Sequence, residues 1–269
     1  MAGRRPLRIA HRGASVRAPE NTLAAFETAI RQGADAIELD VHLTADGVPV
    51  VLHDATLDRT TDGRGPVARV TLAALKRLDA GAWFAPRFRG ERVPTLEEAL
   101  RCARGRCGLN IEIKTGPGRG RDKTARARDA RSEAGLLASA VSRVVARARF
   151  TDLLVVSSFS RAALQAARAA MPRARLGLLV SRRLAGIRAA HRDLRLHSLH
   201  LHIRLASRRR IAAARRIGLR ILVWPVNEPD DLRRLLALEV DGIMTDDLLL
   251  FRRFRPSLGG ASRRPARLD

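Results

Sequence analysis

Glu38 and Asp40 stand two residues apart inside an otherwise apolar run, AIELDV at 36–41. In an extended strand, residues at i and i+2 project to the same side. A carboxylate taken out of water costs several kcal/mol unless it is paired or bound to a cation. A second apolar run, Val48–Leu52, follows after Asp46-Gly47 and ends in His53-Asp54. Asp-Gly favours the positive backbone angles of a tight hairpin turn. The stretch 35–54 therefore reads as a strand pair that carries a same-face acidic pair and a histidine, which is the make-up of a site for metal or phosphate chemistry.

Other polar residues fall at the ends of apolar runs in the same way. His11 and Arg12 follow LRIA at 7–10, and Glu112 and Lys114 close LNIEIK at 109–114. Ser157, Ser158 and Phe159 end a later run, Trp224 to Asn227 another, and Thr245-Asp246 the last. Simpler readings exist for single members. Glu38 could pair with Arg12 or Lys114, and Glu112 with Lys114. Asp35 reads as a turn or cap residue, and Asp54 as a partner of a histidine or of nearby backbone. His42 projects to the opposite side from Val41 and stays unassigned. His191, His197, His200 and His202 lie among arginines without a paired acid and read as surface or strand residues, with His200 near the end of its strand.

The elements that position these residues alternate. Helical periodicity runs over 22–31, with Thr22 as N-cap and Gly33 as stop, and over 94–103, where Thr95 and Glu98 form a capping box. The segment 55–93 loses regularity except for a short helical run, TLAALKRLDAG, and reads as an inserted excursion. Residues 115–131 are rich in Gly and Arg without periodicity and read as a flexible basic loop. Strands are then expected at 153–157, 175–180, 196–200, 220–224 and 242–245. Helices are expected at 132–148, 161–170, 183–191, 206–217, 229–238 and 247–254. Eight parallel-type strands alternating with helices point to a (β/α)8 TIM barrel with a small insertion after the second strand. The first strand–helix turn is HRGAS and not a glycine-rich dinucleotide fingerprint, which disfavours a doubly wound open sheet. In a barrel all the strand-end residues named above arrive at one C-terminal rim. One domain over 1–254 and a basic, disordered tail over 255–269 are expected.

Composition bounds the function. The chain has 269 residues, 46% of them hydrophobic, enough for a folded core. It carries 51 basic against 27 acidic residues, a formal net charge of +24 that is nearly all arginine. The arginines read either as a compositional filling of solvated faces or as a field for anions, with an acidic membrane surface, touched peripherally by Trp83, Phe84 and Phe88, as one such partner. Only 3% of residues are aromatic and none is Tyr, so no nucleic-acid stacking platform is expected. Cys102 and Cys107 lack the histidines of a zinc pattern and read as free thiols in a reducing compartment. With no signal-like or membrane-spanning apolar stretch, a cytoplasmic protein is expected.

Several segments together carry a resemblance: HRGASVRAPENT at 11–22, GADAIELDVHLTADGVPVVLHD at 33–54, LDRTTDGRG at 57–65, PTLEEAL at 94–100, NIEIK at 110–114, SSFS at 157–160, VWPVN at 223–227 and DGIMTDD at 241–247. In order and spacing they resemble the glycerophosphodiester phosphodiesterase family over nearly the whole chain. The resemblance implies an enzyme that hydrolyses glycerophosphodiesters, small molecules, to glycerol 3-phosphate and an alcohol. It implies His11 and His53 as the acid/base pair, and Glu38, Asp40 and Glu112 as ligands of a divalent cation, Mg2+ or Ca2+. Arg12 and Lys114 would hold the phosphate, while Asn21 and Trp224 would belong to the substrate pocket. Three carboxylates do suit a hard cation, and an imidazole titrating near neutrality suits both proton-transfer roles. The sequence departs from the family at Pro225, where Thr is usual, and in the basic 115–131 stretch. A lysophospholipase-D-type hydrolase on membrane lipid and a non-catalytic phosphodiester-binding barrel are the alternatives.

Overall fold

The computed structural model of the protein describes residues 5–116, 123–182 and 186–258. Among these, nine strands form one sheet: β1 (Leu7–His11), β2 (Ala36–Leu43), β3 (Pro49–Val51), β4 (Gly108–Ile113), β5 (Leu154–Ser158), β6 (Arg175–Val180), β7 (Ser198–His202), β8 (Arg220–Trp224) and β9 (Gly242–Thr245). Eight of them are parallel and close into a ring, because β1 pairs with β2 on one side and with β9 on the other. The exception is β3, which folds back antiparallel on the far end of β2, with Val41 opposite Val51. The expected (β/α)8 barrel is therefore present.

Helices α1 (Leu23–Arg31), α3 (Leu96–Ala103), α4 (Lys123–Ala148), α5 (Arg161–Ala170), α6 (Ile187–Leu194), α7 (Arg208–Arg215) and α8 (Pro229–Ala237) lie between the barrel strands, and α2 (Leu72–Leu75) lies in the excursion after β3. The start signals work as the side chains dictate. Thr22 Oγ1 accepts from Ala25 N, and Thr95 and Glu98 form the full capping box. Outward-facing strand residues such as Leu109, Ile111, Val156, Leu199 and Val223 pack with the helices in one continuous core. The excursion has a small core of its own, built from Val50, Leu52, Leu57, Val67, Leu75, Ala80 and Val93.

Four expectations change. Residues Lys123–Arg131, read as loop, begin α4, which runs from Lys123 to Ala148. Ala, Arg and Lys are strong helix formers, so a helix can form here without an apolar period in the sequence. The hairpin turn contains three residues, not two: Thr44 N bonds Val48 O, and Gly47 takes the left-handed conformation at φ 76°. Strand β7 starts two residues later than expected, at Ser198. The last helix is a 3₁₀ run, Leu248–Leu258, which reaches past Arg255, where the tail was expected to begin; the rest of the expected tail, like 183–185 of the expected sixth helix, lies outside the described residues. No helix among the described residues is long and apolar enough to cross a membrane.

The barrel interior is asymmetric. Leu7, Ile9, Ala36, Leu222 and Met244 fill the side formed by β8, β9, β1 and β2. By strand alternation the inward positions of β4 to β7 include Asn110, Ser157, Gly177, Ser198 and His200, all buried or without a side chain. His200 is fully buried, with its Nε2 2.8 Å from Ser198 Oγ. It is neither a surface residue nor part of the acidic cluster. Its ring fills the space left by Gly177, where an added Cβ would collide with it.

Burial pushes the His200 imidazole down to about 3 and, with help from Arg220 and Arg175, His197 down to about 4. The unfolded chain titrates its histidines near pH 6.5, so below that pH the unfolded state takes up protons that the folded state refuses. Stability is then expected to fall as pH drops from about 6.5 toward 3, by about 1.4 kcal/mol per pH unit from His200 alone. Urea melts at pH 7 and pH 5 measure this, and H200Q should flatten the dependence. Gly177→Ala should cost about 1–3 kcal/mol in the same melts, because the His200 ring has nowhere to move.

Candidate active site

The rim residues of β1, β2 and β4 are brought together by register. His11 is the cross-strand neighbour of Glu38, and Asp40 that of Glu112. Glu38, Asp40 and Glu112 are all buried, and one oxygen from each lies within 4.8 Å of the others. Burial and the neighbouring Asp40 push Glu38 up to about 8 and Glu112 up to about 7. Burial would also raise Asp40, but Lys114 and Arg12 overcome it and hold Asp40 at about 2. Three carboxylates thus share too little positive charge to ionise together. Hard oxygen donors in this arrangement fit a divalent cation.

Two cationic side chains supply part of the balance. Lys114 Nζ lies 3.1 Å from Asp40 Oδ1 and 2.9 Å from Glu112 Oε1. Arg12 Nε lies 3.5 Å from Asp40 Oδ2, and its backbone N donates to Glu38 Oε2 at 3.1 Å. Arg12 reaches this position from a left-handed backbone, φ 58°, followed by Gly13 at φ 83°. Such a conformation is costly for an arginine. Gly13 is required there, since an added Cβ would lie 2.7 Å from the Cβ of Ala25. Asn21 shares the left-handed conformation, φ 58°, and its Nδ2 donates to Asp40 Oδ2 at 2.9 Å. Asn21, expected in the substrate pocket, is buried and anchors the Asp40 carboxylate.

Both histidines stand beside this cluster with Nδ1 occupied by an aspartate. His11 Nδ1 is 2.7 Å from Asp246 Oδ1, and His11 Nε2 is 4.0 Å from Glu38 Oε2. Burial lowers His11, but the Asp246 hydrogen bond and the Glu38 charge outweigh it, so its net shift is upward. His53 Nδ1 is 2.6 Å from Asp54 Oδ1. There burial, Lys114 and Arg12 prevail over Asp40 and lower the imidazole. In each case the aspartate leaves Nε2 as the free ring atom.

Asp246 was visible in the sequence only as a polar residue at a strand end; Ser15 Oγ and Asn227 Nδ2 also donate to it. His42, left unassigned, shares a strand face with Glu38 and Asp40, and its Nε2 donates to the backbone carbonyl of His53 at 3.1 Å. The i, i+2, i+4 spacing of 38, 40 and 42 was the available signal. Asp35 lies elsewhere, accepting from Arg5 at 2.5 and 2.8 Å and from the backbone N of Arg8 at 2.8 Å. Trp224 is half-buried at the rim, pinned by Nε1 to the carbonyl of His200 and packed edge-on to Phe159 (5.5 Å) and His202 (5.2 Å).

A parallel barrel with a buried carboxylate trio, two basic side chains and two aspartate-anchored histidines on one rim has the parts of a phosphodiester-cleaving enzyme. The sequence matches the profile of the glycerophosphoryl diester phosphodiesterase family over residues 11–250, and the chain belongs to that family. It is 37% identical over 246 residues to a glycerophosphodiester phosphodiesterase of Caldanaerobacter subterraneus, covering 89% of this chain and 93% of the relative. Among solved structures, an Oleispira antarctica phosphodiesterase in complex with the product sn-glycerol-3-phosphate superposes with a TM-score of 0.84 at 32% identity, over 93% of this chain and 97% of the other. A glycerophosphodiester phosphodiesterase of Agrobacterium tumefaciens gives a TM-score of 0.76 at 33% identity, over 92% and 99% of the two chains.

Crowded buried carboxylates should gain from a cation that binds only the folded chain. Millimolar Mg2+ or Ca2+ is expected to stabilise the metal-free protein, by about 2.7 kcal/mol at a hundredfold excess over Kd, read as a rise in thermal midpoint. Glu38→Gln should lose that response while being about as stable as the wild type without metal near pH 7, because the Glu38 carboxyl, pushed up to about 8, is already mostly neutral there.

Proposed function

We propose that the protein hydrolyses glycerophosphodiesters to glycerol 3-phosphate and an alcohol, with His11 and His53 as the proton-transfer pair and a divalent cation, Mg2+ or Ca2+, held by Glu38, Asp40 and Glu112. The observation that carries the reading is the pairing of His11–Asp246 and His53–Asp54 beside one carboxylate trio. When bound, the cation supplies Lewis-acid neutralisation of charge on the phosphate oxygens.

The chain's own residues do the rest. Arg12 and Lys114 already face the trio, and their charges are in reach of an anionic phosphodiester placed against it. An aspartate on Nδ1 keeps the proton there in the neutral imidazole and presents a basic Nε2, as the hydrogen-bond logic of an oriented histidine requires. One histidine, neutral, can then take a proton at Nε2 from the attacking oxygen, while the other, starting protonated on both ring nitrogens, gives its Nε2 proton to the departing alkoxide. Trp224, with Phe159 and His202 around it, offers an apolar wall for the carbon skeleton of the glycerol or alcohol. The resemblance in sequence and structure to a phosphodiesterase whose complex holds sn-glycerol-3-phosphate supports the same substrate class.

The test is turnover by purified protein of glycerophosphodiesters with choline, ethanolamine, glycerol or inositol headgroups, with each metal, read as release of glycerol 3-phosphate. His11→Ala and His53→Ala are each expected to lower kcat by about 10²–10⁴-fold. Absence of turnover on every headgroup with both metals, or full turnover by the His11 variant, would sink the reading.

A further inference from the structure

Arg59 lies in the excursion after β3, outside the histidine pair and the carboxylate trio, yet its guanidinium faces two carboxylates at once. Nη1 and Nη2 donate to the two oxygens of Glu20 at 2.9 and 2.8 Å. Nε and Nη2 donate to the two oxygens of Asp54 at 2.7 and 3.2 Å. Each carboxylate passes the connection on. Glu20 Oε1 also accepts from Arg12 Nη1 at 3.0 Å, and Asp54 Oδ1 is the partner of His53 Nδ1 at 2.6 Å. The result is an unbroken chain of charged hydrogen bonds, Arg12–Glu20–Arg59–Asp54–His53. It joins the loop after β1 to the segment after β3 across the mouth of the barrel.

Stability is a poor account of this arrangement. The Arg59 side chain is 43% exposed, and ion pairs open to water stabilise a fold little. The excursion is already held by its own apolar core. What the chain does determine is orientation. Glu20 draws one end of the Arg12 guanidinium away from the trio, leaving Nε toward Asp40. Both Asp54 oxygens accept from Arg59, and Oδ1 also meets His53 Nδ1, which fixes the plane of the carboxylate that orients the imidazole. A planar fork with donors along two edges can serve both carboxylates together, which a lysine ammonium cannot.

We propose that Arg59 is a positioning residue that sets Arg12 and His53 at the same time, making the excursion part of the apparatus that cleaves the phosphodiester. The proposal rests on the reading of the site given above. Glu20 transmits the effect to the phosphate through Arg12, and Asp54 transmits it to proton transfer through His53. The two arms should therefore separate in the kinetics.

Arg59→Met, Arg59→Lys, Glu20→Gln and Asp54→Asn, with metal bound, test this on a glycerophosphodiester that the wild type hydrolyses. Arg59→Met is expected to lose about 10–100-fold in kcat/KM, the usual cost of removing a residue that orients a catalytic group. Glu20→Gln should act mainly on KM and Asp54→Asn mainly on kcat. Arg59→Lys, which keeps the charge without the fork, should recover only a small part of the loss, while the thermal midpoints of all four stay near that of the wild type. The proposal is overturned if Arg59→Met stays within twofold of the wild type in kcat and KM. It is equally overturned if the loss follows a fall in thermal midpoint that Arg59→Lys restores along with activity, since a charge staple would then suffice. A wild type that turns over no glycerophosphodiester would instead count against the functional reading itself.

Discussion

The structure depends on bringing three carboxylates out of water into one small volume. Glu38, Asp40 and Glu112 are adjacent because β2 pairs in parallel with β4 and both point the same side chains inward. Left alone, such a cluster would cost more than the pairing of two strands returns. The rim answers that cost with Lys114 between Asp40 and Glu112, Arg12 beside Asp40, and the amide of Asn21 on Asp40. Compensation is partial, which is why Glu38 and Glu112 sit far above the ordinary carboxylate range. Such a carboxylate cluster could hold a metal ion.

Local backbone geometry follows from the same demand. Arg12 and Asn21 both adopt left-handed conformations, and Asn21 N donates to the Arg12 carbonyl at 3.0 Å. The segment between β1 and α1 is thereby folded over the acidic cluster, so that a backbone N–H and a guanidinium both reach it. Gly13 permits the turn because α1 packs against it too closely for any side chain. The strain is sustained by the surrounding core, with Ala14, Ala18, Ala25 and Phe26 all buried around it.

Orientation of the histidines has a different source. Asp246 comes from just past β9 and Asp54 from the segment just past β3, so the ring closure that puts β9 beside β1 also puts Asp246 beside His11. The interior of the barrel is divided to match. Its apolar side lies under β8, β9, β1 and β2, while the inward positions of β4 to β7 mix amide, hydroxyl and imidazole groups with Val155 and Leu179. The acidic trio spans the boundary, with two members on β2 and one on β4.

The sequence by itself determined the periodic elements, the caps at Thr22 and Thr95, the parallel barrel and the residues that crowd its rim. Those follow from local pattern, because burial on one strand face or helix stripe leaves a period of two or of 3.6 residues that neighbours in the chain record directly. It misread Lys123–Arg131, where helix propensity acts without an apolar period in the sequence, and it left His200 between surface and strand, because its burial depends on a glycine on the adjacent strand. Tertiary structure alone decided which aspartate holds which histidine, that His42 supports His53, and that Glu20, Arg59 and Asp54 form one chain. Glu20 and Arg59 are 39 residues apart, and Asp246 is 235 residues from His11. A hydrogen bond over such a separation leaves no period in the sequence, because it is made by the closure of the barrel and not by the segments that carry its ends.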